Sequence, residues 1–125
     1  MMMKRSLLVA LAGGLLVATA ALPALGQPVP DRVIVEARDA LAKKNKPRLA
    51  TLRQAAAGHP LAQWVEYWEL GNRLNEAQQP ELDAFYARWA GTYVEDRLRN
   101  DWLLELGRRR DWATFARLHP AFRMQ

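Results

Sequence analysis

The chain contains no cysteine, and its only serine is Ser6. Disulfides, thiolate catalysis and cysteine zinc sites are therefore excluded. Beyond the N-terminal segment, Thr51, Thr92 and Thr114 are the hydroxyl nucleophiles left, and none has a histidine at a useful spacing. Both histidines, His59 and His119, stand directly before a proline, a setting for a turn rather than for a metal or a base. No glycine-rich phosphate loop occurs. Valine-rich alternation and Asn-Gly or Asp-Gly pairs are also missing, so strands are not expected. Acidic residues are outnumbered, 13 against 18 lysines and arginines, and the formal charge is +5.

What is present begins with an export signal. Lys4 and Arg5 precede the apolar run Leu7–Val17, and small residues surround Ala24-Leu25-Gly26. Residues 1–26 read as a secretory signal peptide. Gly13-Gly14 and Pro23 break the run and leave it too short for a membrane anchor, and a lipid anchor would need a cysteine. Cleavage leaves 99 of the 125 residues and lowers the charge to +3, because Lys4 and Arg5 depart. So mild a surplus is a solubility statement, and neither nucleic acid nor a membrane is expected as a partner.

Residues 27–30 form a short proline-containing leader. Asp31 can cap a first helix with Val33, Ile34, Ala37 and Leu41 on one side, closed by Lys43-Lys44-Asn45-Lys46. Pro47 opens a second helix with Leu49, Leu52 and Ala56, which stops at Gly58. Both are alanine-rich, which predicts that they fray first. The third helix opens at His59-Pro60 and carries two stripes, Leu61, Trp64, Val65 and Trp68, then Tyr67, Leu70 and Leu74. Asn75–Gln79 is a polar turn, and Pro80 starts a fourth helix with Leu82, Phe85, Tyr86 and Trp89, ended by Gly91.

The best-specified stretch is Thr92–Pro120. Thr92 and Glu95 form a capping box. Val94, Leu98, Trp102 and Leu106 recur every four residues, and Gly107 is the expected left-handed stop. Asp111 caps a sixth helix whose buried stripe is Trp112, Phe115 and Ala116. Shifting Leu49, Leu52, Gly58 and Leu61 by 33 positions lands on Leu82, Phe85, Gly91 and Val94. Such a period predicts an all-α fold of stacked α-hairpins, the start of a solenoid or α-superhelix over residues 31–125. Pro120 would begin another helix, so the superhelix is expected to be truncated at its C-terminal end.

No catalytic residue, cofactor site or metal site emerges. Glu69–Arg73, Glu95–Arg99 and Glu105–Arg109 have the order favourable for helix-surface ion pairs, which accounts for the carboxylates without chemistry. Aromatic faces can stack on sugar rings and arginine forks can grip anions. Trp64, Trp68, Arg97, Arg99, Arg108, Arg109 and Arg110 are accordingly the candidate contacts to glycan or a partner.

The runs LAQWVEYWEL (61–70) and GTYVEDRLRNDWL (91–103), with Arg109-Arg110-Asp111-Trp112-Ala113 and Phe122-Arg123-Met124, resemble the N-terminal helical region of the soluble lytic murein transglycosylases. The resemblance covers about half the chain. It implies a periplasmic protein and a right-handed superhelix of α-hairpins. In that family a separate lysozyme-like domain cleaves the bond between N-acetylmuramic acid and N-acetylglucosamine, leaving a 1,6-anhydro product, with its glutamate in a Glu-Ser motif. No Glu-Ser pair exists in this chain, so no catalytic residue carries over. The expectation is a non-catalytic segment that steers peptidoglycan strands. A second reading is a free-standing periplasmic repeat adaptor for proteins or peptides. Oligomeric state is left open.

Overall fold

The computed structural model describes Gly14 and residues 27–124, so the signal-peptide reading falls on residues that, Gly14 aside, lie outside the described ones. The chain forms α1 (Arg32–Ala42), α2 (Lys46–Ala55), α3 (Ala62–Gly71), α4 (Gln79–Arg88), α5 (Tyr93–Arg108), α6 (Trp112–Leu118) and a 3-10 turn (His119–Ala121). No strand occurs among the described residues, and the fold is all-α. None of these helices is long and apolar enough to cross a membrane.

Two cores follow from side-chain size. Ala37, Ala40 and Ala56 let α1, α2 and α3 approach closely around Val33, Leu49, Leu52 and Val65. The second core is built from larger groups: Leu70, Leu82, Phe85 and Tyr86 against the predicted stripe Val94, Leu98, Trp102 and Leu106. All four residues of that stripe are buried. Val29, in the leader, packs on the first core, which fixes the entry into α1.

Helix ends depart from expectation in instructive ways. Gly107 does not stop α5; the helix runs on to Arg108, and Arg110 takes the left-handed conformation at φ 59°. Backbone bonds from Asp111 N–H to the Leu106 carbonyl (2.9 Å) and from Arg110 N–H to Gly107 (3.0 Å) close the end as a Schellman motif. Gly107 instead lies under the Trp112 ring, 3.7 Å from where a Cβ would stand. The end of α1 repeats the device with Lys44 at φ 52° and bonds Asn45→Ala40 and Lys44→Leu41. In each case the residue after the left-handed one caps the next helix: Asn45 accepts from Arg48 N–H, and Asp111 from Thr114 N–H, as predicted for Asp111.

Other boundaries shift as well. His59 and Pro60 lie in the turn before α3, where His59 accepts from Leu61 N–H (2.9 Å) and meets Asp31 at 2.8 Å. Leu61 therefore stays 45% exposed instead of joining the α3 stripe. α3 ends at Gly71, and consecutive turns carry the chain to Ala77. Thr92 accepts from Glu95 N–H (3.3 Å), but the returning Glu95 carboxylate meets Gly91 N–H (3.4 Å) rather than Thr92's own.

Two expectations at the C-terminal end are corrected. Trp112 is 60% exposed, Ala116 is exposed and Phe115 is half-buried, because α6 packs mainly on α5 and leaves its outer side uncovered. Pro120 yields one 3-10 turn, after which Phe122 is extended. Asp96, buried at the start of α5, accepts from Arg123 and Met124 N–H, both at 2.8 Å, and so replaces a helix's own bonding with a carboxylate cradle.

Gly58 and Gly91 sit at φ 89° and 80°, whereas Gly71 is an ordinary helical residue with open space at its Cβ position. Gly91→Ala should lower stability by about 1–2 kcal/mol, while Gly71→Ala should be neutral or stabilising by up to about 1 kcal/mol. Urea unfolding followed by circular dichroism checks both; equal effects would contradict the assigned conformations.

Candidate functional site

The seven sequence-predicted contacts separate into two groups. Trp64 packs on the second core, with its ring 6.1 Å from Tyr67 and 5.9 Å from Tyr93. Trp68, one turn on, is half-buried against the first core. Arg97 lies beside the Tyr67 and Tyr93 hydroxyls, reaching Tyr93 at 3.2 Å. These three converge on the α3–α5 surface. The other four do not. Arg99 is spent on Glu95 (3.2 Å) and on the Tyr86 ring, 4.0 Å from its centroid. Arg108 and Arg109 both hold Glu105, at 2.5 and 3.0 Å. Arg109 also donates to the carbonyls of Leu74 (2.8 Å) and Ala77 (3.2 Å) and lies over Trp102, clamping the α3–α4 connection. Arg110 is the exposed left-handed residue.

Beside the convergent group lies a cleft of about 280 Å³ where α1, α3 and α5 meet, lined by Leu41, Tyr67, Trp68, Gly71, Asn72 and Asp101. The helical period places Tyr67, Trp68 and Gly71 on the same side of α3. Tyr67 donates a short hydrogen bond to Asp101, and Asn100 donates to the other oxygen at 3.2 Å. Burial, then the Asp101 carboxylate, push the Tyr67 hydroxyl up to about 12. Tyr67 is thus a fixed donor at neutral pH. One carboxylate with two donors already on it is no acid–base pair, so the cleft can bind but lacks a hydrolytic constellation.

A second cleft, about 340 Å³, is lined by Arg53, Gln54, Ala57, Gly58, Ala62, Glu66, Arg88 and Trp89. Its carboxylate is held by three donors. Glu66 accepts from Arg53 (3.0 Å), Arg88 and the Trp89 indole N–H (2.6 Å). One turn along α3, Glu69 accepts from Arg53 (3.2 Å) and Arg73 (2.9 Å), and Arg73 continues to Glu81 (2.5 Å). The three predicted i,i+4 ion pairs are all formed, but Glu69 and Glu95 are buried rather than on the surface. Periodicity missed Arg53 and Arg88 because their partners are 13 and 22 residues away. The Tyr67–Asp101 bond spans 34 residues and was equally invisible.

No family model matches the chain, and neither a curated protein nor a solved structure matches it.

Glu66→Ala would leave Arg53, Arg88 and the Trp89 indole without their common acceptor. It should cost about 1.5–3 kcal/mol, whereas Glu36→Ala, whose Arg32 and Arg48 partners are exposed, should cost less than about 1 kcal/mol. Denaturant midpoints compare the two.

Arg108, foremost, holds the Glu105 carboxyl down to about 2, below its ordinary 4.5. A folded-state value below the unfolded one means stability that is complete above pH 4.5 and lost as pH falls toward 2. Glu105→Gln should flatten that part of the stability–pH curve, by under about 1 kcal/mol because Arg108 is exposed. Thermal melts from pH 5 to 2 measure it.

Proposed function

We propose that the chain is a helical-repeat segment of an exported cell-wall enzyme, most similar in design to the superhelical part of lytic transglycosylases. On this reading it is a periplasmic scaffold that guides peptidoglycan strands and breaks no bond itself. The observation that carries the reading is a recurrence at helix starts. α2, α4 and α6 begin at Lys46, Gln79 and Trp112, 33 residues apart. Each is preceded by a polar residue bonded to the third residue of the helix: the Asn45 and Asp111 side chains accept from Arg48 and Thr114 N–H, and Gln78 donates its backbone N–H to the Glu81 carboxylate. Leu49 and Leu52 correspond to Leu82 and Phe85, all buried, and Gly58 to Gly91, both left-handed. Three helix starts at this spacing, alternating with α1, α3 and α5, support a reading as stacked α-hairpins. Such a recurrence fits the superhelix of α-hairpins that the family resemblance would imply.

The glycan part of the reading is supported by α3. Trp64, Tyr67, Trp68 and Asn72 follow helical spacing along about 12 Å of one helix, and Tyr93 and Arg97 of α5 stand beside them. A free-standing adaptor for peptides is the second reading. It is favoured by Leu104 of α5 and Trp112 of α6, 67% and 60% exposed, large apolar side chains left without cover.

Co-sedimentation with purified peptidoglycan sacculi separates the two. The guiding role predicts retention of the purified chain at low salt with no release of anhydro-muropeptides. Absence from the pellet would overturn the glycan role and leave the adaptor; release of product would overturn the non-catalytic assignment.

A further inference from the structure

We propose that the cleft between α1, α3 and α5 is a subsite for one uncharged pyranose ring. It rests on the glycan reading only for the polymer that would supply the ring, since the recognition chemistry belongs to the cleft.

Sugar rings present a C–H face that needs apolar or aromatic area, and a rim of hydroxyls that need both donors and acceptors. The cleft supplies each. Trp68 and Leu41 contribute aromatic and aliphatic wall, and Tyr67 is held by its bond to Asp101. Asp101 offers acceptor capacity beyond the two bonds it receives, because a carboxylate has about four lone-pair sites. The Asn72 amide lines the cleft and takes no part in the bonds that tie Tyr67 and Asn100 to Asp101, so its N–H groups and carbonyl are available to a ring. At about 280 Å³ the space lies just below the range of pockets for drug-sized molecules and suits a single ring.

Gly71 supports the assignment. It is the last residue of α3 and lines the cleft, and a Cβ there would meet nothing within 4 Å. The backbone does not require glycine, because its φ is not left-handed. What glycine provides is room. A neutral ligand is favoured over an anion because Asp101 is the charged group in the wall.

The test is a titration of the isotopically labelled chain with the β-1,4-linked tetramer of N-acetylglucosamine, read by amide and indole N–H chemical shifts. The Trp68 indole N–H and the Asn72 side-chain amide should move with millimolar sugar, and the Trp112 indole should not. Trp68→Ala risks the first core, so the decisive variant is Gly71→Leu, which fills the cleft without meeting a neighbour at Cβ. It should weaken binding at least about tenfold with a melting temperature no lower than that of the wild type. Undiminished binding by Gly71→Leu, shifts confined to Trp112 and its neighbours, or no shifts at millimolar sugar would each overturn the proposal. Sacculus co-sedimentation of the same variant keeps the two readings apart. Retention unaffected by Gly71→Leu sinks the subsite and spares the guiding role, and tetramer binding without sacculus retention does the reverse.

Discussion

Glu66 and Glu69, one turn apart on α3, are the fixed point of this molecule. Between them they hold Arg53 from α2, Arg73 from the turn after α3, and Arg88 and Trp89 from the end of α4. Moving carboxylates out of water is costly, and the arginine bonds largely offset that cost rather than adding a large surplus. The gain is in geometry. An apolar contact between helices tolerates sliding, whereas a carboxylate shared by three donors does so only by leaving a buried group unpaired. Arg73 extends the constraint to Glu81 in the first turn of α4, so both ends of α4 are referred back to α3.

That constraint matters because the two cores pack in different ways. Around Ala37, Ala40 and Ala56 the backbones of α1, α2 and α3 come close, and little side-chain volume is needed. Around Phe85, Tyr86 and Trp102 the helices stand further apart, and polar tips complete the fit, as in the bond from the Trp102 indole to Gln79 (2.9 Å) and the stacking of Arg99 on Tyr86. The cleft of Leu41, Trp68, Gly71 and Asp101 opens where α1 and α5 both meet α3. Close packing on one side and bulky packing on the other leave that junction unfilled, with Gly71 contributing no side chain to close it.

Local patterns in the sequence carried most of the fold. The four-residue spacing of Val94, Leu98, Trp102 and Leu106, the caps at Thr92 and Asp111, and the i,i+4 acid–base pairs are each decided within one or two turns, and each forms. Failure came where neighbours compete or where partners are remote. Gly107 had the right chemistry for a helix stop, but Asp111 is needed as a cap immediately after a left-handed residue, which moves that residue to Arg110. Among the candidate contacts, Arg99 and Arg109 were drawn inward by Tyr86, Trp102 and two backbone carbonyls that no spacing rule connects to them. Trp64, Trp68 and Arg97 remained near a cleft, but its polar half, Asn72 and Asp101, was not joined to them because Asp101 lies on a different helix.

The distribution of burial argues for a different opening order from the one that alanine content suggests. Alanine content suggested that α1 and α2 would loosen first. Yet Ala37, Leu49 and Ala56 are wholly buried, and the small side chains are the reason those helices pack so closely. α6 is the less protected element. It has only seven residues, none of them buried, and Phe115 and Leu118 merely lean on the second core. What limits its excursion is polar: the Asp96 cradle after it, which binds Arg123 and Met124. Local opening of this kind is set by how many contacts an element makes, not by its helix propensity. Burial therefore predicts that α6 opens before the helices that line the proposed binding surface.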